Sequence, residues 1–168
     1  ADIGIIGLPN AGKSSLLAAI TNANPKIANY HFTTLNPNLG VASYDDKEIT
    51  IADIPGLVEG AHKGTGLGIQ FLKHIERCKT ILHLIDITVG DIEKAYNQVR
   101  KELFSYSPDL IKKKEIIVLN KVDLVEKKLV MEITNDFSKK INAEIFILST
   151  LEKKSISKIK AKLISHVS

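Results

Sequence analysis

A chain of 168 residues with 44% hydrophobic and 25% charged residues has the size and composition of one globular domain. Its net charge of +4 is carried almost wholly by lysine, Arg77 and Arg100 being the arginines; so mild a surplus reads as a solvated surface and only weakly as a nucleic-acid face. No apolar run reaches the roughly 18 residues of a membrane helix, the start "ADIGIIG" lacks a basic leader, and the single Cys78, read as a small buried thiol, excludes an internal disulfide, so a cytoplasmic location is expected.

Short apolar runs alternate with amphipathic stretches. Ile3 to Ile6 reads as a buried strand and Ser14 to Ile20 as a helix. Val41 to Tyr44 and Glu48 to Asp53 read as two strands of a hairpin turning at Asp45 and Asp46. "ILHLID", Ile81 to Asp86, is another buried strand. Asp91 is placed to cap a helix that repeats Ile92, Ala95, Val99 and Leu103 on one face. Glu115 to Asn120 is a strand, Lys127 to Ile141 a helix, Glu144 to Leu148 a strand and Lys154 to Ile164 a closing helix. The pattern predicts an α/β fold: a mostly parallel six-stranded sheet, one antiparallel edge strand from the hairpin, and helices on both faces. Ligands of such sheets bind at the carboxyl ends of the strands, and each motif below falls at one. Neither an internal repeat nor a linker is visible, so residues 1–168 read as a single domain.

"GLPNAGKS", Gly7 to Ser14, fits G-x-x-x-x-G-K-[ST] between a strand and a helix, the context that motif requires. Its glycines let the amides of Gly7, Leu8, Pro9, Asn10, Ala11 and Gly12 turn around a phosphate (Pro9 by shape alone, having no N–H), and the helix N-terminus at Lys13, Ser14 and Ser15 adds its positive dipole end. Lys13 is the expected partner of the β- and γ-phosphates and Ser14 a ligand of Mg²⁺. "NKVD", Asn120 to Asp123, follows the strand "EIIVL". A carboxylate at Asp123 can accept from guanine N1–H and the exocyclic amine, a donor pair adenine lacks, so the triphosphate is read as GTP. Lys121 lays its stem along the base, Asn120 ties the loop to the phosphate loop, and Leu124 flanks it. "STL", Ser149, Thr150 and Leu151, ends the next strand, where a backbone N–H can meet guanine O6.

"YHFTTLNPNLG", Tyr30 to Gly40, brings Phe32, Thr33 and Thr34 between the first helix and the hairpin. Thr34 is favoured over Thr33 as a second hydroxyl on Mg²⁺. "DIPG" supplies Asp53 as a metal partner through water, Ile54 and Pro55 as a fixed turn, and Gly56 as an N–H donor to the γ-phosphate that can flip when the phosphate leaves. A segment ordered by GTP and released on hydrolysis is expected to follow, with Gly64, Gly66 and Gly68 as its loose joints. The catalytic set is read as Lys13, Thr34, Gly56 and Asn10.

These stretches, with "DIPGLVEGAHKGTGLG" and "FLKHIERCK", resemble the GTPase domain of the Obg (CgtA) family over essentially the whole chain. The resemblance implies a Ras-like P-loop NTPase fold, Mg²⁺-dependent slow hydrolysis of GTP to GDP and phosphate, a monomer in the cytoplasm, and action with the large ribosomal subunit in its assembly and in stress control. The family's glycine-rich N-terminal domain and C-terminal extension are not in these 168 residues. Where Ras-type hydrolases place a water-orienting glutamine, this chain has Leu57. With neither that group nor an arginine between Lys26 and Asn36, turnover is expected at about 10⁻⁴–10⁻² per second. Two compensations stay open: groups supplied by a partner, or K⁺ held by Asn10 of the phosphate loop, as in some related GTPases. His31 and His62 lie in the two switch segments, within reach of the γ-phosphate; His62 reads as a solvated side chain, with a catalytic histidine as the alternative, and His74, His83 and His166 read as helix, strand and tail residues. The rival readings are a guanine-nucleotide sensor that barely hydrolyses and a P-loop ATPase, the latter opposed by "NKVD".

Overall fold

The computed structural model describes residues 2–21, 26–27, 38–53, 73 and 75–167. Four strands form the centre of the sheet, β1 (Ile3–Ile6), β4 (Lys47–Asp53), β5 (Thr80–Asp86) and β6 (Lys114–Asn120), with β1 and β5 buried almost throughout, β4 from Ile51 and β6 from Ile116. Parallel pairing sets β1 between β4 and β5, with Ile3 opposite Ile51 and Thr80. β7 (Ile145–Leu148) extends this run beyond β6, and β3 (Asn38–Tyr44) lies beyond β4. β3 alone runs antiparallel to the rest.

The hairpin turns at Asp45 and Asp46, whose φ values of 51° and 63° place both in the left-handed region. Two such residues in succession give the turn whose twist matches that of paired strands, and aspartate tolerates it better than most side chains. The six expected strands are all present, and a seventh is added. The two-residue β2 (Lys26–Ile27) pairs antiparallel with β3, so β3 sits one place in from the edge. Two residues are too few to leave a periodicity in the sequence.

Alternation along β1 divides the core. Ile3 and Ile5 face α1 (Lys13–Ile20) and α4 (Lys153–Val167), against Leu16, Leu17, Ile159 and Leu163. Ile6 faces the other side, where α2 (Ile92–Tyr106) brings Val99 and Leu103, and α3 (Lys127–Ile141) brings Val130 and Phe137 against Leu119. Cys78 is buried in this second layer, and burial raises its thiol pKa. Asp91 caps α2 as its spacing predicts, accepting from Lys94 N at 3.0 Å. The strands β1, β4, β5, β6 and β7 therefore all end at one edge of the sheet, and the loops that follow them meet there.

Candidate nucleotide site

The phosphate loop leaves β1 at Gly7 and enters α1 at Lys13. Gly7 lies so close to β5 that a Cβ there would sit 2.4 Å from the Leu84 carbonyl oxygen. At Gly12 both reasons for glycine coincide: φ is 101°, and a Cβ would fall 2.5 Å from Asn120 Nδ2. Asn10, at φ 70°, turns the loop between them, and Ala11 N closes the turn on the Leu8 carbonyl at 3.2 Å. Gly12 gives α1 no side-chain cap, and no acidic residue stands in its first turn. Among the described residues, no side chain caps the amides with which the helix begins, an anion-binding arrangement.

Lys13 folds back over this loop. Its ammonium donates to the carbonyls of Gly7 at 3.3 Å and Leu8 at 3.4 Å. Burial lowers its pKa, against a smaller opposing pull from Asp53. Asp53, the last residue of β4, is 3% exposed and accepts from the Ser14 hydroxyl at 2.7 Å through Oδ2. Its Oδ1 is buried and has no hydrogen-bond partner among the described residues. A buried carboxylate oxygen beside a serine hydroxyl, where the phosphate loop enters α1, is an all-oxygen donor set that fits Mg²⁺. No group of three or more His, Cys, Asp or Glu capable of holding a metal occurs among the described residues.

The "NKVD" loop after β6 is tied to the phosphate loop by consecutive residues. Asn120, 1% exposed, donates through Nδ2 to the Ala11 carbonyl at 2.9 Å. Lys121, at φ 66°, donates to the Asn10 carbonyl at 2.7 Å and to Asp86 Oδ2 at 3.0 Å. Asp123 is exposed, with one carboxylate oxygen held by the Ser149 hydroxyl at 2.8 Å. Ser149 is fully buried after β7; its N–H donates to Ser155 Oγ at 2.9 Å, and its hydroxyl accepts from Leu151 N at 3.3 Å. Leu124 and Leu151 are 65% and 80% exposed beside this carboxylate.

The described residues Gly7 to Ser15, Asp53, Asn120, Lys121, Asp123, Leu124 and Ser149 to Leu151 thus share one edge of the sheet. Phe32, Thr33, Thr34, Ile54, Pro55 and Gly56 lie outside the described residues, as do Leu57, His31, His62, His74, Gly64, Gly66 and Gly68. His83 is a strand residue, as expected. It is buried on β5, with Nδ1 2.9 Å from Glu115 Oε1 and its ring stacked on Tyr96 at 5.3 Å. Sequence reasoning passed over two residues of the site. Ser155 fixes the strand end that carries Ser149. Asp86 pairs with Lys121, and its signal was available: like Asp53, it is an aspartate closing a buried apolar run at the carboxyl end of a strand.

A model of the family described as 50S ribosome-binding GTPase matches residues 2–121. Over 168 residues the chain is 76% identical to GTPase Obg of Pelagibacter ubique (strain HTCC1062), covering 100% of this chain and 51% of that one. It is 54% identical over 158 residues to GTPase Obg of Rickettsia felis (strain ATCC VR-1525 / URRWXCal2), covering 94% and 48%. The chain spans about half the length of these relatives. Among solved structures, the G domain of the T. maritima FeoB iron transporter aligns with a TM-score of 0.71 at 18% identity, covering 99% of this chain and 98% of that one. That likeness establishes the fold, a Ras-like P-loop arrangement.

Proposed function

Because the chain belongs to the 50S ribosome-binding GTPase family, in its Obg branch, we propose that it binds GTP with Mg²⁺ and hydrolyses it slowly to GDP and phosphate. The observation that carries this reading is the clasp between the two loops. Asn120 and Lys121 hold the consecutive carbonyls of Ala11 and Asn10, and Ser149 holds Asp123 at the rim of the same site. A pre-formed carboxylate is thus fixed relative to a pre-formed phosphate cradle, which is what reading guanine and triphosphate together requires.

In this reading the amides after Gly7 and at the start of α1 receive the phosphates, and the Lys13 ammonium leaves its two carbonyls for the β- and γ-oxygens. Ser14 and Asp53 hold the metal together with Thr34. Mg²⁺, when bound, neutralises charge on the β- and γ-phosphates. Gly56 donates its N–H to the γ-phosphate, Phe32, Thr33, Ile54 and Pro55 line the nucleotide, and the backbone around Thr150 and Leu151 meets guanine O6. Asp123 accepts from guanine N1–H and the exocyclic amine.

Leu57 offers no group to orient water, so hydrolysis depends on outside help. Asn10 is the proposed K⁺ ligand. Its backbone oxygen is taken by Lys121, which leaves the side-chain amide oxygen at an exposed bend of the loop. Equal rates in KCl and NaCl would rule this out. The words "50S ribosome-binding" in the description of the matched family support the large ribosomal subunit as partner; action in subunit assembly and stress control, a monomeric state in the cytoplasm and a single GTPase domain over residues 1–168 are part of the same proposal. Among the described residues, no helix is long and apolar enough to cross a membrane.

The test of the base assignment is Asp123→Asn. An amide there should shift preference from guanine to xanthine nucleotides, whose 2-oxo group accepts where guanine donates. Unchanged guanine preference would remove Asp123 from the base site. Phosphate release in a single turnover, with and without large ribosomal subunits, separates a slow hydrolase from a sensor that does not turn over.

A further inference from the structure

Lys121 and Asn10 both adopt left-handed backbone conformations, with φ of 66° and 70°. Asparagine tolerates this conformation, but lysine is strained in it and persists there only where its surroundings hold it. They meet at one nitrogen, the Lys121 ammonium, 2.7 Å from the Asn10 carbonyl. A lysine stem is long and flexible and holds one position only against a fixed partner. That partner is Asp86, the last residue of β5 and the register neighbour of Asn120.

The Asp86 carboxylate is itself fixed. Its Oδ1 accepts from Thr88 N at 2.8 Å and from the Thr88 hydroxyl at 2.6 Å, while Oδ2 is turned to Lys121 at 3.0 Å. Capping the turn at Ile87–Val89 uses only Oδ1. Among the described residues, the second oxygen serves the lysine alone.

We propose that Asp86 is a positioning residue for nucleotide binding: braced by Thr88, it fixes Lys121, and through Lys121 it holds the phosphate loop in the bend that receives phosphate. This rests on the GTP-binding reading above. Burial acts to raise the Asp86 pKa, but the Thr88 hydroxyl and amide and the Lys121 ammonium outweigh it and hold it below the ordinary carboxylate value, as expected of a carboxylate kept charged in its place.

Asp86→Asn isolates the effect. The amide keeps an oxygen for Thr88, and so the turn, but sets an NH₂ against the ammonium. The experiment is titration of the 168-residue chain with fluorescent GDP, for the parent, Asp86→Asn, Lys121→Met and the double variant. Asp86→Asn should weaken binding about tenfold in the parent and less than about twofold in the Lys121→Met background, because a residue acting through Lys121 has nothing left to act on. Guanine preference over xanthine should persist, since Asp123 is untouched. Equal losses in both backgrounds, or no loss in the parent, would overturn the proposal. If Asp86→Asn does not fold, Thr88→Val at an exposed position loosens the same carboxylate without removing its charge. It should weaken binding about two- to threefold, and unchanged affinity would overturn the proposal equally. A parent chain that bound no guanine nucleotide would instead sink the GTP-binding reading itself.

Discussion

The Ser149 hydroxyl donates to Asp123 Oδ1 at 2.8 Å, joining the loop after β7 to the loop after β6. Asp123 stands at the surface while Ser149 is fully buried, so an exposed carboxylate is aimed by a group that cannot itself move. One of its oxygens is occupied by the serine. Ser149→Ala should therefore leave the fold intact but let the carboxylate rotate, weakening GDP binding about fivefold. The loss should fall more heavily on guanine than on xanthine nucleotides. Isothermal titration with both reads it, and an unchanged guanine affinity would show that Asp123 needs no support.

Lys13 predicts opposite effects on stability and binding. Its amine is held among carbonyls by 3.3 and 3.4 Å contacts, and burial lowers its pKa from 10.5. The unfolded chain therefore holds this proton more tightly than the native state. Stability should rise as pH climbs through the native value towards 10.5, and this gain should vanish in Lys13→Met. The same variant should lose GTP affinity on the order of 100-fold, since phosphate would face a thioether. Melting curves with and without GTP check both. A variant destabilised without nucleotide would contradict the assignment of Lys13 to the ligand.

Ser14 and Asp53 are bonded at 2.7 Å, and Asp53 Oδ1 is buried without a partner among the described residues. Removing the hydroxyl takes one oxygen from the proposed metal site and leaves Asp53 in place. Ser14→Ala should raise the Mg²⁺ concentration for half-maximal GTP binding about tenfold, while GDP binding in EDTA changes little. A Mg²⁺ midpoint that does not move would take Ser14 out of the metal site.

Acid stability depends on a contact far from the site. Asp2 accepts from Thr50 N at 2.8 Å and Thr50 Oγ1 at 3.1 Å, and Lys79 stands 3.6 Å away. Burial works to raise its pKa, but these contacts prevail and lower it below 3.8. A carboxylate with a depressed native pKa contributes stability above its unfolded value, and the contribution is lost as pH falls through the native value. The parent should thus be more resistant to urea than Asp2→Asn at about pH 6, and the two should converge as pH falls through the native value, below 3.8. A gap that widened on acidification would reverse the sign of the linkage.

The parts legible in the sequence are those with a local cause. Ile3 to Ile6 is a buried run bounded by a glycine loop, and the strand has those bounds. Lys127 to Ile141 shows helical period over the whole observed helix. Asp91 is an N-cap because it precedes an apolar stripe, and it caps. The phosphate loop and "NKVD" were legible for the same reason: each motif is defined by its own spacing. What escaped depends on register between distant segments. β2 is two residues long and exists only by pairing with β3. Asp86 meets Lys121 because β5 and β6 end level with each other, a register that no local window reveals. Ser155 matters through one bond to the end of β7, and a serine in the first turn of a helix has many bland explanations.

The central claim is that this edge of the sheet reads guanine and hydrolyses its triphosphate without a water-orienting side chain at Leu57. Phosphate release by the 168-residue chain from GTP and from ATP, in Mg²⁺ with KCl, tests it most directly. The account predicts release from GTP at about 10⁻⁴–10⁻² per second, dependent on Mg²⁺, and none above background from ATP. Release from ATP at the same rate would contradict the guanine assignment, and no release from GTP under any salt would contradict hydrolysis.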